Sequence, residues 1–151
     1  MPWATERVVD FCYGFSPIKR KRLQAFVGAP VAPLRPWMRK LPEQARVFVW
    51  GDARLPSCFA AIGVRAVRVE DGFVSSVGLG AAFAPPVSWT FDARGLHHWG
   101  HCASDLEVLL QTTAFSDEQR QQGQILMDAV LRHKISKYNL STTKEWPALG
   151  R

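Results

Sequence analysis

Long apolar runs are missing from this chain of 151 residues, and none approaches the roughly 20 residues that a membrane-spanning helix needs. A soluble or peripheral protein is the expectation. The first residues, Met1 to Arg7, lack the basic start and apolar core of a secretory signal, so secretion is not indicated. Cysteine is scarce as well. Cys12, Cys58 and Cys102 are odd in number and far apart, with no Cys-x-x-Cys pair to suggest zinc or redox chemistry, and they suit a reducing cytoplasm. No Walker loop occurs, and Gly78-Leu79-Gly80-Ala81-Ala82-Phe83 has a bulky residue where a dinucleotide fingerprint needs its third glycine. Ser75 and Ser76 lie in no Gly-x-Ser-x-Gly elbow. His97, His98, His101 and Cys102 are close in sequence, but neighbours on a strand point to opposite faces, so no metal site is expected. Internal repeats and low-complexity tracts are also lacking.

What is present is globular. Hydrophobic content is 47%, with six Trp and nine Phe, and a chain this long can bury roughly 70% of its unfolded surface in one domain. A net charge of +6 favours anionic partners, whether a nucleotide sugar, acidic lipid headgroups or nucleic acid, without choosing among them. Nucleic-acid binding would rest on Lys19 to Arg22 and Arg39-Lys40 alone and is not expected.

Strands alternate with helices along the chain. Val8 to Tyr13 reads as a strand, and Ser16-Pro17 opens a helix that runs to about Phe26 and closes at Gly28. The basic run Lys19 to Arg22 invites a phosphate or membrane reading, though a solvated helix face is the favoured one. Ala29 to Pro36 carries three prolines and predicts an extended linker. Arg46 to Trp50 is the next strand, Pro56 to Ile62 a short helix, and Val64 to Val69 a buried parallel strand. Ser88 to Phe91 and Leu96 to Trp99 flank Asp92 to Gly95 and predict a hairpin. Ser104 to Glu107 and Ser116 to Gln119 are capping boxes. The first helix should present Leu106, Leu109 and Leu110 on one face. The second, reaching about Lys134, should bury Leu126 with Val130 and Ile125 with Ala129. The fold class is α/β, a Rossmann-like three-layer arrangement with a mostly parallel sheet plus a hairpin, over residues 1–140, with a disordered tail at 141–151.

The organising stretch is Arg68-Val69-Glu70-Asp71-Gly72-Phe73 and the glycine-rich loop after it. Open α/β sheets bind ligands outside the carboxyl ends of their strands, where Glu70 and Asp71 are expected to stand. A purely local role, with Glu70 capping a turn and Asp71-Gly72 forming it, is the alternative. Transfer of a sugar from a nucleotide donor needs a carboxylate to stabilise or trap a cationic sugar, a base for the acceptor hydroxyl, and cations for the leaving phosphate. Arg68, Glu70 and Asp71 are of those types.

The pattern Arg-x-Glu-Asp-Gly-Phe-x-x-Ser-x-Gly-Leu-Gly from Arg68, then Pro85-Pro86-x-Ser88, Asp92-x-x-Gly95, Ser104-Asp105-Leu106-Glu107 and Ser136-Lys137-Tyr138-Asn139-Leu140, resembles the capsule polysaccharide biosynthesis and export family. Its members are KpsC-type, LipA-like β-Kdo glycosyltransferases. The resemblance implies the N-terminal lobe of a GT-B-like enzyme, with Glu70 and Asp71 catalytic and Arg68, Gly72, Phe73, Ser76, Gly78 and Gly80 substrate-binding. It implies no resident cofactor, CMP-Kdo as donor held mainly by a C-terminal lobe, and a lipid-linked glycan acceptor on this lobe. A cytoplasmic place, peripheral at most on the inner membrane, goes with it. The family usually has Arg where Ser75 stands and Tyr-Tyr-Asp where His97-His98-Trp99 stands. An Asp-Gln-Thr segment follows the Ser-Lys-Tyr-Asn motif in these relatives, and this sequence ends before it. The resulting expectation is a truncated or split transferase, inactive alone. The alternative is a binding or scaffold module that pairs with a separate C-terminal lobe or holds an anionic lipid.

Overall fold

A computed structural model of the chain describes residues 10–60, 64–79 and 84–139. The expected tail at 141–151, and Gly80 among the expected site residues, lie outside them. The described residues divide into two compact units, Met1–Glu70 with Thr90–Ala114 and Asp71–Trp89 with Phe115–Arg151.

The first unit is built on strands β1 (Asp10–Tyr13), β2 (Val31–Pro33), β3 (Arg46–Trp50) and β4 (Arg65–Asp71), the last reaching one residue past the unit's edge. With β5 (Trp89–Asp92) they form one sheet in the order β2-β1-β3-β4-β5. The β1–β2, β1–β3 and β3–β4 pairings are parallel, and the last runs from Arg46 opposite Arg65 to Trp50 opposite Val69. The chain therefore winds outward from β1 in both directions. That reversal places a topological switch point between β1 and β3, as in doubly wound α/β folds.

Helix α1 (Pro17–Val27) begins and ends as its sequence predicts. The Ser16 side chain accepts from the Lys19 amide, Pro17 sits in the first turn, and Gly28 closes the helix at a left-handed φ of 67°. Alternation along β3 distributes its apolar side chains to two faces. Val47 and Val49 join Phe11, Leu34, Ala45 and Phe59 of the short helix α2 (Ser57–Ala60) in one buried cluster. Phe48 instead meets Phe91 edge-on at 5.8 Å, and Phe91 meets Phe26 of α1 at 6.4 Å. Both faces of the sheet thus carry a helix, which is the three-layer arrangement. Arg46 fastens the amino end of β3 to β1, its Nε and Nη2 lying 3.1 and 2.6 Å from the two carboxylate oxygens of buried Asp10.

Three expectations are corrected. The proline-rich 29–36 segment is not merely a linker: Val31 to Pro33 pairs with β1, and Leu34 N donates to Cys12 O at 2.8 Å. Proline suits this outer strand because its missing N–H costs nothing on an unpaired edge. The hairpin at Asp92 to Gly95 does not form, since residues 96–99 are not a strand. Buried Asp92 explains it: Oδ1 accepts from the amides of Arg94 and Gly95 at 2.9 and 2.8 Å, and Oδ2 accepts from Asp105 N at 2.8 Å. The carboxylate curls the chain towards helix α3 (Asp105–Thr112) instead of sending it back along β5. Gly95 takes no left-handed φ either. A Cβ there would lie 2.6 Å from Cys102 Sγ, so close approach is what requires the glycine.

The third correction concerns helix faces. Both capping boxes are present, at Ser104 with Glu107 and at Ser116 with Gln119, the latter opening α4 (Asp117–Arg132) in the second unit. The stripe expected to be buried on α4 is not, and the leucine face of α3 is largely open as well. Leu109 and Leu110 are 56% and 67% exposed, Ile125 and Leu126 are 55% and 65% exposed, and Ala129 and Val130 are only half-buried. Periodicity reports an amphipathic helix but not what covers it. No helix among the described residues is long and apolar enough to cross a membrane.

Candidate functional site

At the carboxyl ends of β3 and β4 the first unit gathers Gly51, Asp52, Ala53, Arg68 and Glu70. The chain leaves β3 through Gly51 at a positive φ of 50°, and Gly51 N donates to Val69 O at 2.9 Å. A Cβ on Gly51 would lie 3.1 Å from Glu70 Oε2, so the carboxylate packs against the bare Cα of this turn. Arg68, two residues before Glu70 on the same face of β4, sends Nη1 to Gly51 O at 3.0 Å and Ala53 O at 2.7 Å. Its guanidinium carbon lies 5.0 Å from the Trp99 ring centroid, and Trp99 Nε1 donates to Asp52 Oδ1 at 2.5 Å. Burial lowers the Arg68 pKa from its ordinary value, and the negative charge of Asp52 acts against that shift. Arg68 braces the turn that carries Glu70's neighbour, and the carboxylate that pulls on it most is Asp52. Neither Asp52 nor Trp99 is among the site residues expected from the sequence. Asp52 follows a strand at the ligand-binding edge and was findable on that ground; Trp99 reaches it only through a contact 47 residues away, which no local pattern announces.

Glu70 and Asp71 are the last two residues of β4, not the start of a loop. Alternation puts them on opposite faces of the strand, and the boundary between the compact units falls between them. Arg68 and Glu70 are therefore brought together, with Glu70 half-buried beside a glycine turn. A carboxylate and a cation so placed can stabilise opposite charges as a bond to a sugar breaks.

The second unit contains the remaining predicted residues. Gly72 is buried, and a Cβ on it would lie 2.1 Å from Ser88 Oγ and 3.1 Å from the Ser88 carbonyl carbon; only glycine fits. Phe73 is 60% exposed. Ser76 is buried, its hydroxyl donates to Gly78 O at 2.5 Å, and Gly78 has a φ of 100°. This loop is clamped by the Ser-Lys-Tyr-Asn motif. The amides of Ser75 and Ser76 donate to Lys137 O at 2.8 and 3.3 Å, Gly78 N donates to Tyr138 O at 2.7 Å, and Asn139 Nδ2 donates to Ser76 O at 3.1 Å. Asn139 holds its own turn by exchanging hydrogen bonds with Ser136. Two motifs 60 residues apart in the sequence are one hydrogen-bonded piece, with Gly72, Ser76 and Gly78 shaping it. His97 and His98 lie in a turn with rings edge-on at 5.4 Å, and no group of His, Cys, Asp or Glu among the described residues could hold a metal ion.

No family model matches the chain. It is 30% identical over 142 residues to the capsule polysaccharide modification protein LipA of Neisseria meningitidis serogroup A, a match covering 88% of this chain and 20% of LipA. The lipopolysaccharide-processing protein LpsZ of Rhizobium meliloti is 33% identical over 75 residues, 48% of this chain and 17% of that protein. Among solved structures, the β-Kdo 2,4 transferase of Thermosulfurimonas dismutans KpsC superposes with a TM-score of 0.78 and 25% identity over 97% of this chain and 46% of that one. The β-Kdo 2,7 transferase of the same KpsC gives a TM-score of 0.62 at 22% identity over 83% and 43%, a likeness of fold. The chain spans about one fifth of the curated LipA relatives and under half of the solved transferases. Sequence and fold together support a capsule-related KpsC/LipA-like family, of which the chain matches one part.

Proposed function

We propose that the chain acts in capsule polysaccharide biosynthesis as the Rossmann-like lobe of a β-Kdo glycosyltransferase. In this reading a lipid-linked glycan acceptor meets this lobe, CMP-Kdo is held mainly by a second lobe, and transfer occurs at the carboxyl edge of the sheet on the cytoplasmic face of the inner membrane. The observation that carries it is the likeness of nearly the whole chain to less than half of a β-Kdo 2,4 transferase. Glu70 would stabilise or trap the cationic sugar or accept the acceptor's proton, Arg68 would keep the Gly51 turn in place beside it, and Asp71 would serve on the other face of β4.

Positioning of two reactants across a cleft can supply roughly 7 to 11 kcal/mol of a barrier, and one lobe cannot supply it. The chain incubated with CMP-Kdo and a lipid-linked acceptor should therefore form no product by itself. Addition of a C-terminal lobe from a KpsC-type transferase should restore transfer, and Glu70→Gln should abolish it again. Efficient transfer without the second lobe would disprove the two-lobe reading. Absence of transfer with it present would count against Kdo chemistry.

A further inference from the structure

The basic run of α1 is not accounted for by the transferase reading, and the structure divides it. Lys19 Nζ lies 3.4 Å from the centroid of the Trp50 ring. Arg20 instead lines a cleft of about 350 Å³ at the carboxyl ends of β1 and β2, together with Arg35, Gly14, Pro17, Pro33 and Leu34. Both residues are half-buried, so this part of the run is not the solvated face that the sequence favoured.

The charge in this cleft is unbalanced. No Asp or Glu among the described residues lines it, and α1 has no acidic residue in its first turn. Arg20 gives one amino group to Val31 O at 3.4 Å, which anchors the guanidinium while leaving further N–H donors of its fork for a ligand. The Arg35 guanidinium lies 5.6 Å from the Trp37 ring. Neither arginine makes an ion pair among the described residues. A second cleft of about 340 Å³, at the amino ends of β3 and β4, differs on this point: its Arg39, Lys40 and Arg65 share the space with Glu43. Cations with a carboxylate among them are partly neutralised, whereas two arginines without one favour a doubly charged anion.

Size and wall chemistry narrow the ligand. The volume falls at the small end of the range for small-molecule sites, and it exceeds what a bare phosphate fills. Pro17 and Pro33 offer apolar walls suited to the carbon skeleton of a small alcohol or sugar. We propose that this cleft binds a phosphate ester, with the phosphate between Arg20 and Arg35 and the esterified group against the two prolines. The site lies at the ligand-binding edge of the sheet, is formed wholly within the first unit, and does not depend on the transferase reading.

The full chain, labelled with ¹⁵N, should be titrated with glycerol 3-phosphate, inorganic phosphate and glycerol, and tested for sedimentation with vesicles of phosphatidic acid or phosphatidylcholine. Glycerol 3-phosphate should shift the amides of Gly14 to Arg20 and of Val31 to Arg35 and bind more tightly than inorganic phosphate, while glycerol should do nothing. Arg20→Gln and Arg35→Gln should each weaken binding about tenfold, with partial recovery in the Lys variants, and Arg39→Gln should leave it unchanged. Vesicle binding that needs the same two arginines would assign the ester to a lipid headgroup; soluble binding with indifference to vesicles would assign it to a free ester. The proposal is overturned if neither Gln substitution weakens binding, if the shifts centre on Arg39 and Arg65, or if inorganic phosphate binds as well as the ester. Because the readout is binding, failure here leaves Kdo transfer standing, and failure of transfer leaves this site standing.

Discussion

The two compact units are held by different forces. Among the described residues every buried apolar side chain except Trp89 belongs to the first unit, which packs Phe48, Phe59, Leu23 and Leu96 with almost no exposure. The second unit buries Ser75 and Ser76, keeps its loop by backbone hydrogen bonds to Lys137 and Tyr138, and leaves Phe73, Val77, Leu126 and Leu131 at the surface. Apolar burial yields a cooperative core, whereas a loop pinned by a few hydrogen bonds opens locally at low cost. The glycine-rich loop after β4 thus stands on the more weakly held unit, and Arg68 and Glu70 on the firmly held one.

The sharpest test of this contrast is truncation on each side of it. Phe48→Ala should destabilise the chain by about 3 to 5 kcal/mol in denaturant unfolding, while Leu126→Ser should change it by less than about 0.5 kcal/mol. Comparable losses would show that α4 is covered in solution and that the contrast is false.

Cys12 gives a smaller, pH-dependent effect confined to the first unit. Burial pushes its thiol up to about 11, with the Arg20 charge working in the opposite direction. The unfolded thiol ionises near its ordinary value of 9.0, so the unfolded state releases its proton first as pH rises. The contribution is therefore complete below about pH 9 and lost as pH climbs towards 11, roughly 2 to 3 kcal/mol over the window. Cys12→Ala should remove that component of the alkaline slope. Cys58, which is exposed, should react with a thiol reagent well before Cys12.

The smallest effect should be local. Asn139→Ala removes the bond to Ser76 O and the one that Asn139 Oδ1 accepts from Ser136 N, and should speed hydrogen exchange at Ser75, Ser76 and Gly78 by about tenfold. Amides of β1 and β3 should keep their rates. A matching acceleration there would mean that the two units open together.

Legibility in the sequence follows the same division. Apolar runs found β3 and β4, and serine caps with proline and glycine found α1, α3 and α4, because strand burial and helix termini are written in neighbouring residues. Pairing across distance is not. The proline-rich segment gave no sign that it would join β1, the carboxylate of Asp92 decided against a hairpin by reaching Asp105, and the stripe of α4 carried no information about cover. The position of Glu70 at the carboxyl end of β4 was legible from the apolar run before it. The bracing of Arg68 by Gly51 and Ala53, and the Asp52–Trp99 contact, depend on chain segments that only the fold brings together.

Strand β2 has a further consequence for how the protein behaves at high concentration. It is the outer strand on its side of the sheet, and an outer strand is a template on which another chain can add. Leu34 N points inward to Cys12, so alternation turns the nitrogen of Pro33 outward, where it has no proton to offer. One step earlier, the outward carbonyl of Val31 accepts from Arg20. A docking strand would thus meet a missing donor and an occupied acceptor on successive outward positions. The same arginine that borders the cleft also blunts this edge against fibrillar growth.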